Sequence, residues 1–311
     1  KVGVNKMLYK QIEQNKRNTW IILGLYTVLL LAISVFLGVI FTSYVGIGFF
    51  IIGLIYIAHV YFDATQHLMK VTNAVEITKE TEPVIYELVE ELCLAGGLPM
   101  PKLYITPDPA PNAFATGRDP EHASLAITQG LLNIMDKKEV QGVIGHELSH
   151  IRNYDTRITV LASALTSLIT MTGIGIVFFG WGVLTSETKG IFGFFIKILA
   201  LIVIAVGGII SIIGIPLAKL LFLLVSRQRE YLADIGSVDL TREPSGLISA
   251  LSKLEQLEEG AATPEISSQD LTLQHLYFNF PNAHNWLNRL FSDHPPLDKR
   301  IERLKNSDNI H

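Results

Sequence analysis

Apolar residues are concentrated in long stretches almost free of charge. From Asn18 to Phe62 there is no Asp, Glu, Lys or Arg. Trp20–Phe41 covers 22 residues, about 33 Å as a helix, enough to cross a bilayer core. Thr42 and Ser43 mark a tight turn, and Tyr44–Phe62 forms a second span. A third runs from Ile158 to about Leu184 and a fourth from about Ile198 to Pro216, with a polar break at Ser186–Lys189. Helices buried in a soluble core seldom need uncharged stretches of this length, so the pattern predicts four membrane helices. The first run is too long for a cleaved signal peptide and leads almost directly into the second, which reads as an uncleaved anchor.

The polar segments carry shorter periods. Residues 81–95 predict a helix, with Thr81 as N-cap, Pro83 in its first turn and Gly96-Gly97 at its end. Lys102–Thr106, Asn112–Thr116 and Ser124–Thr128 read as strands of a small, largely antiparallel sheet. Asp136 and Glu139 form a D-x-x-E capping box. The helix after it sets Val140, Ile144, Leu148 and Ile151 on one stripe and is expected to run past Asp155 toward the third span. Residues 258–285 are polar and mixed, as in a long loop or mobile insertion; whether residues 258–290 gate the cleft is not legible.

Composition agrees. The 311 residues are 49% hydrophobic and 17% charged, with mean hydropathy +0.36. Soluble domains carry roughly 25% charge, so an ordinary soluble enzyme is disfavoured and a disordered chain is excluded. The net charge of −4 comes without a strongly basic stretch, so a nucleic-acid partner has no electrostatic support. The single cysteine, Cys93, lies in an apolar helical pattern and reads as core; it cannot build a disulfide or a Cys-based zinc cluster alone. The chain opens on Lys1 rather than Met, so a missing native start is expected.

Lys1, Lys6, Lys10, Lys16 and Arg17 precede the first span, Lys70 follows the second, Arg152 and Arg157 precede the third, and Arg227 and Arg229 follow the fourth. The positive-inside rule then puts both termini and both long polar segments in the cytoplasm of a cell-membrane protein. The expected organisation is a cytoplasmic N-terminal segment 1–19, a membrane hairpin 20–62, the first part of a catalytic domain 63–157, a second hairpin 158–219, and the second part of that domain 220–311.

The chemistry-bearing motif sits on the capped helix: His146-Glu147-Leu148-Ser149-His150, an H-E-x-x-H sequence. Residues four apart share a helical face, so both imidazoles can reach one ion, with Glu147 beside them as base for an activated water. A catalytic zinc needs a third protein ligand. Glu230, in Arg229–Asp234 (REYLAD) just past the fourth span, is the candidate, with Asp234 hydrogen-bonding a ligand imidazole from behind. Alone, E-x-x-x-D describes a solvated face as readily as a metal site.

With these residues in hand, the chain resembles the HtpX-type membrane zinc endopeptidases, which are related to the CaaX prenyl proteases. The resemblance spans nearly the whole chain: PNAFATGR at Pro111–Arg118, HELSH followed by two spans, SRQREYLAD at Ser226–Asp234 and HPPLDKRI at His294–Ile301. It implies an α+β zincin-like metalloprotease domain with an antiparallel-rich sheet, joined to an all-α bundle of four transmembrane helices. It implies one Zn²⁺ per chain held by His146, His150 and Glu230, with Glu147 as general base. Asn112, Ala113, Phe114 and Ala115 would then form a substrate-binding edge strand, although an interior strand reads the same way. A further donor for the transition state would come from His294, which can equally be a helix-entry turn, or from Arg300, which reads more readily as a surface or ion-pair residue.

The implied partners are polypeptides, membrane proteins above all, together with the bilayer; the implied role is clearing damaged or misfolded membrane proteins. An intramembrane protease is disfavoured because Arg152, Asp155 and Arg157 directly follow the histidines. A membrane scaffold, adaptor or transporter with a structural zinc would have no use for Glu147. Substrate identity, cleavage preference and oligomeric state are not legible.

Overall fold

The computed structural model describes residues 2–40, 42–223, 228–260 and 295–307. The chain divides into two compact units: one takes the described residues of 1–24, 58–160 and 225–311, the other 25–57 and 161–224.

Helices α1 (Val2–Ile40) and α2 (Ser43–Val71) come first, then β1 (Val75–Ile77), α3 (Pro83–Gly96), β2 (Lys102–Thr106), β3 (Ala113–Gly117) and β4 (Ala123–Thr128). There follow α4 (Gln129–Ile134), α5 (Lys137–Arg152), α6 (Asp155–Leu184), α7 (Gly190–Leu223), α8 (Gln228–Thr241), α9 (Ser245–Gly260) and α10 (Leu297–Ser307). The expected N-terminal segment is helical and continuous with the first apolar run. No Pro or Gly interrupts Val4–Leu23, and α1 runs as one helix of 39 residues.

In the first unit the sheet order is β1-β2-β4-β3. The β1–β2 and β3–β4 pairs are antiparallel, but β2 and β4 run parallel, so the sheet is mixed. The chain leaving β2 crosses to form β3 before returning as β4, and that excursion permits the parallel pair. α3 begins at Pro83, with Glu82 rather than Thr81 at the cap position, and ends on Gly97 at φ 63°. Thr81 instead accepts from the Thr78 backbone N–H at 2.9 Å, closing a local turn.

α5 lies against the sheet through Val140, Val143, Ile144, Leu148 and Ile151, which join Leu88, Leu92, Leu125, Ile127 and Leu131 in one core. Cys93 belongs to this core, and burial raises its thiol pKa to about 11. Small residues draw the other face of α5 onto α8 and α9. A Cβ on Gly142 would sit 2.5 Å from the Leu247 backbone nitrogen, and Ser237 Oγ donates to the Gly142 carbonyl at 2.6 Å. α5 does not continue past Asp155. Asn153 caps it and Tyr154 takes a left-handed conformation at φ 61°, so α6 starts afresh at Asp155.

In the second unit Tyr26 and Leu30 pack with Leu168 and Ile169. The Tyr26 hydroxyl donates to the Gly53 carbonyl at 2.7 Å, and a Cβ on Gly46 would lie 2.4 Å from the Ser34 carbonyl. Small residues and hydroxyl bonds of this kind are how apolar helices approach closely without a hydrophobic driving force. Among the described residues three helices are long and apolar enough to cross a membrane, Tyr9–Val39, Ser43–Val71 and Gly190–Ile212. Leu168–Leu184 is a shorter apolar stretch.

Candidate metal centre

The site is built where α5, α8 and α10 meet. Asp136 begins α5 by accepting from the Lys138 and Glu139 backbone N–H groups, while Glu139 accepts from the Asp136 N–H at 2.8 Å, completing the capping box. The helix so started buries its apolar stripe on the sheet, and His146, Glu147 and His150 are carried beside it. α8 crosses at close range because Gly142, Gly145 and Ser149 meet Gly236 and Ser237. That contact brings Glu230 and Asp234, one turn apart on α8, up to the two histidines.

His146 Nε2 and His150 Nε2 are 3.0 Å apart. Glu230 Oε2 lies 3.5 Å from His146 Nε2, and Glu230 Oε1 lies 3.6 Å from His150 Nε2. Zinc bonds of ~2.0–2.1 Å at tetrahedral angles space the donors about 3.3 Å apart. The N, N, O donor set and its spacing therefore fit one small divalent cation, and all three donor atoms lie within 4.8 Å of one another.

Each imidazole is held from behind by a carboxylate. His146 Nδ1 is 2.9 Å from Asp234 Oδ1, and His150 Nδ1 is 2.9 Å from Asp155 Oδ2. An Nδ1–H given to a carboxylate leaves the Nε2 lone pair for a metal. Arg300 Nη2 is 2.6 Å and Nε 3.0 Å from the two Asp234 oxygens. Burial alone would raise the Asp234 pKa, but the Arg300 guanidinium and the His146 and Arg300 hydrogen bonds hold it below the ordinary carboxylate value. Arg300 Nη2 and His146 Nδ1 are 3.3 Å apart because both donate to the same oxygen. Burial disfavours a charge on His150, yet the Asp155 hydrogen bond and the carboxylates of Glu230, Asp155 and Glu147 outweigh it and raise the pKa to about 9. The negative field that favours a proton there favours a cation equally.

Glu147 is 5% exposed, within the same helical turn as both histidines. Arg300 is not at the surface. It is fully buried on α10, committed to Asp234, with Nη1 3.8 Å from Glu230 Oε2. Leu297, Ile301 and Leu304 share its side of α10 and seat that helix in the core. β3 lies at the end of the sheet rather than inside it. The Thr128 backbone N–H donates to the Asn112 carbonyl at 2.9 Å, and the alternation of an antiparallel ladder then turns the main-chain groups of Ala113 and Ala115 away from β4. Ala113 and Ala115 pack on the α5 side, while Phe114 packs on the opposite face with Leu68, Met69 and Ala126. His294 lies outside the described residues, as do most of residues 258–290.

Sequence reading missed Asp155 as a partner of His150. On a continuous helix, residues five apart do not share a face; only the break at Tyr154 swings the Asp155 carboxylate back. Asp155 also takes a hydrogen bond from Arg229 Nη1 at 3.3 Å, tying the residue beside Glu230 to the partner of His150.

Residues 79–308 match the profile of peptidase family M48. The chain is similar over 96% of its length to a protease HtpX homolog of Streptococcus mutans, at 42% identity and 99% of that relative. It is 39% identical to one of Lactobacillus acidophilus, covering 96% of this chain and 99% of the relative. To one of Streptococcus pyogenes it is 41% identical, covering 96% of this chain and 100% of the relative. With a largely buried His-His-Glu cluster of metal-binding spacing and a profile covering most of its length, the chain belongs to peptidase family M48 and is of the HtpX protease type.

Proposed function

We propose that this protein is a zinc endopeptidase of the cell membrane that cleaves damaged or misfolded membrane proteins on the cytoplasmic side. The observation that carries the reading is the convergence of His146, His150 and Glu230 to metal-ligand spacing, with Glu147 in the same helical turn. Three protein donors suit a hydrolytic zinc better than a structural one, which takes four.

His146 Nε2, His150 Nε2 and a Glu230 oxygen hold the ion. When bound, zinc supplies Lewis acidity that polarises a peptide carbonyl and eases deprotonation of water. Glu147 takes the proton as water attacks the scissile carbonyl and delivers it to the leaving amine nitrogen. Asp234 and Asp155 keep the imidazoles aimed through their Nδ1 atoms. Substrate binds extended beside β3, its backbone pairing with the outward main-chain groups of Ala113 and Ala115; Asn112 anchors the strand through its backbone bonds to Thr128. Such backbone pairing reads little side-chain identity and suits varied unfolded polypeptides. Four spans, 20–62 and 158–219 taken as two hairpins, with both termini cytoplasmic, rest on the uncharged runs and the Lys/Arg bias.

The test is Glu147→Gln in the full chain in detergent. Zinc content should stay at one per chain while cleavage of an unfolded membrane-protein substrate falls by about 10²–10⁴-fold. Undiminished cleavage would overturn the role of Glu147, and no cleavage by either form would favour a scaffold.

A further inference from the structure

We infer that Asn15, on the N-terminal helix α1, is a positioning residue of the metal site that acts on His150 through Asp155. The inference rests on the metalloprotease reading above and extends the site to a helix that contributes no ligand.

Residues 10–17 of α1 are mostly polar, with Lys10, Gln14, Lys16 and Arg17 exposed. Asn15 is the exception at 1% exposure. A buried amide is costly unless its groups are bonded, and here both polar atoms of the amide are bonded. Its Nδ2 donates to the Asn153 carbonyl at 2.8 Å and to Asp155 Oδ1 at 2.7 Å. Its Oδ1 accepts from Gln11 Nε2 at 3.2 Å, which fixes the amide with its two donors facing the elbow between α5 and α6. That elbow contains Tyr154, held at φ 61°, a left-handed backbone that is strained for a residue with a Cβ. The Tyr154 ring is flanked by Lys16 Nζ at 4.8 Å and the Arg157 guanidinium at 4.7 Å. One turn of α1 thus grips the elbow twice, through Asn15 and through Lys16.

The consequence for the site follows from Asp155. Its Oδ1 receives Asn15 from α1 and Arg229 from α8, which leaves Oδ2 directed at His150 Nδ1. Asn15 is the shorter of the two Oδ1 bonds, 2.7 Å against 3.3 Å, and it also secures the main chain at Asn153. Without it the Asp155 carboxylate can rotate, His150 loses its fixed acceptor, and the Nε2 lone pair is no longer held toward the ion. Leucine would fill the volume but supply no donor.

The test compares the full chain in detergent with Asn15→Ala, Asn15→Asp, Asp155→Ala and the Asn15→Ala/Asp155→Ala pair. Two readouts are used: the rate of zinc release to excess chelator, and the visible absorption of the Co²⁺-substituted protein. Removing a partner behind a metal-ligating histidine weakens metal holding by about 10–100-fold. Asp155→Ala should fall in that range, and Asn15→Ala should speed release by about 10-fold and shift the Co²⁺ bands. The double variant should release no faster than Asp155→Ala alone, because the two act in series. Asn15→Asp keeps the shape, sets a carboxylate against Asp155, and should release zinc at least as fast as Asn15→Ala; it carries the test if the alanine variant does not fold. Release at the parent rate with unshifted bands overturns the inference even if the thermal midpoint drops, since that pattern belongs to a merely structural anchor. Multiplying effects in the double variant overturn it too. A parent chain that holds no zinc overturns the metalloprotease reading, and the inference with it.

Discussion

Arg300 grips Asp234 with two prongs, Nη2 2.6 Å from Oδ1 and Nε 3.0 Å from Oδ2, across 66 residues of chain. Both side chains are buried, and Asp234 in turn holds His146. Taking one member from such a pair leaves a buried charge without compensation, which costs about 3–5 kcal/mol. Arg300→Met should therefore lower the thermal midpoint in detergent by on the order of 10 °C. A surface arginine would show almost no change.

Glu230 is the only proposed ligand from outside α5. Glu230→Ala should lose zinc during dialysis against a mild chelator under conditions where the parent keeps it. Metal analysis after dialysis reads the result, and equal retention would assign the third ligand to another residue. Because the loss affects metal holding before chemistry, added zinc should restore part of the activity in this variant and none in Glu147→Gln.

Gly142 sets how closely α5 meets α9. Alanine there gains about 1 kcal/mol of helix propensity, but its Cβ would meet Leu247 backbone atoms at 2.5 and 2.8 Å. Backbone cannot swing aside as a side chain can, and overpacking costs about 1–3 kcal/mol. The steric term wins. Gly142→Ala should lower the thermal midpoint and, by shifting α5 one turn before His146, weaken zinc retention; an unchanged midpoint would mean that α9 yields freely.

Glu139 is buried under Lys253 Nζ at 2.6 Å and Ser249 Oγ at 2.6 Å. Burial pushes its pKa up, but the Lys253, Ser249 and Asp136 hydrogen bonds outweigh it and hold the carboxyl below its ordinary 4.5. A depressed carboxyl pKa stabilises the fold above the unfolded-state value, and that contribution is lost as pH falls through the folded-state value. Glu139→Gln should be less stable than the parent at pH 7, by about 1–3 kcal/mol for a charged hydrogen-bond network. The gap should close as pH drops below about 4.5. Thermal melts of both proteins across that range measure it; a gap constant with pH would mean that the carboxylate charge contributes nothing.

Much of the site could be read before any folding was known, because its signals are local. His146 and His150 share a face by helical arithmetic, the Asp136–Glu139 box marks where their helix starts, and the long uncharged runs need only counting. Glu230 and Asp234 could be paired with each other by their four-residue spacing, but nothing local joins them to His146 and His150. That union depends on small residues at the α5–α8 crossing, whose meaning appears only when two helices pack.

The chain order by itself determined the motif helix, the apolar runs and the chemical identity of the donors, since each depends on residues within a few turns of one another. Tertiary structure alone decided that β2 and β4 run parallel, that Arg300 is buried against Asp234, and that Asp155 and Asn15 stand behind His150. Those relationships join positions from 22 to 140 residues apart, or, for Asp155, depend on a backbone reversal at Tyr154 that no helical or strand period encodes. Periodicity specifies which face a residue occupies; only packing specifies what that face meets.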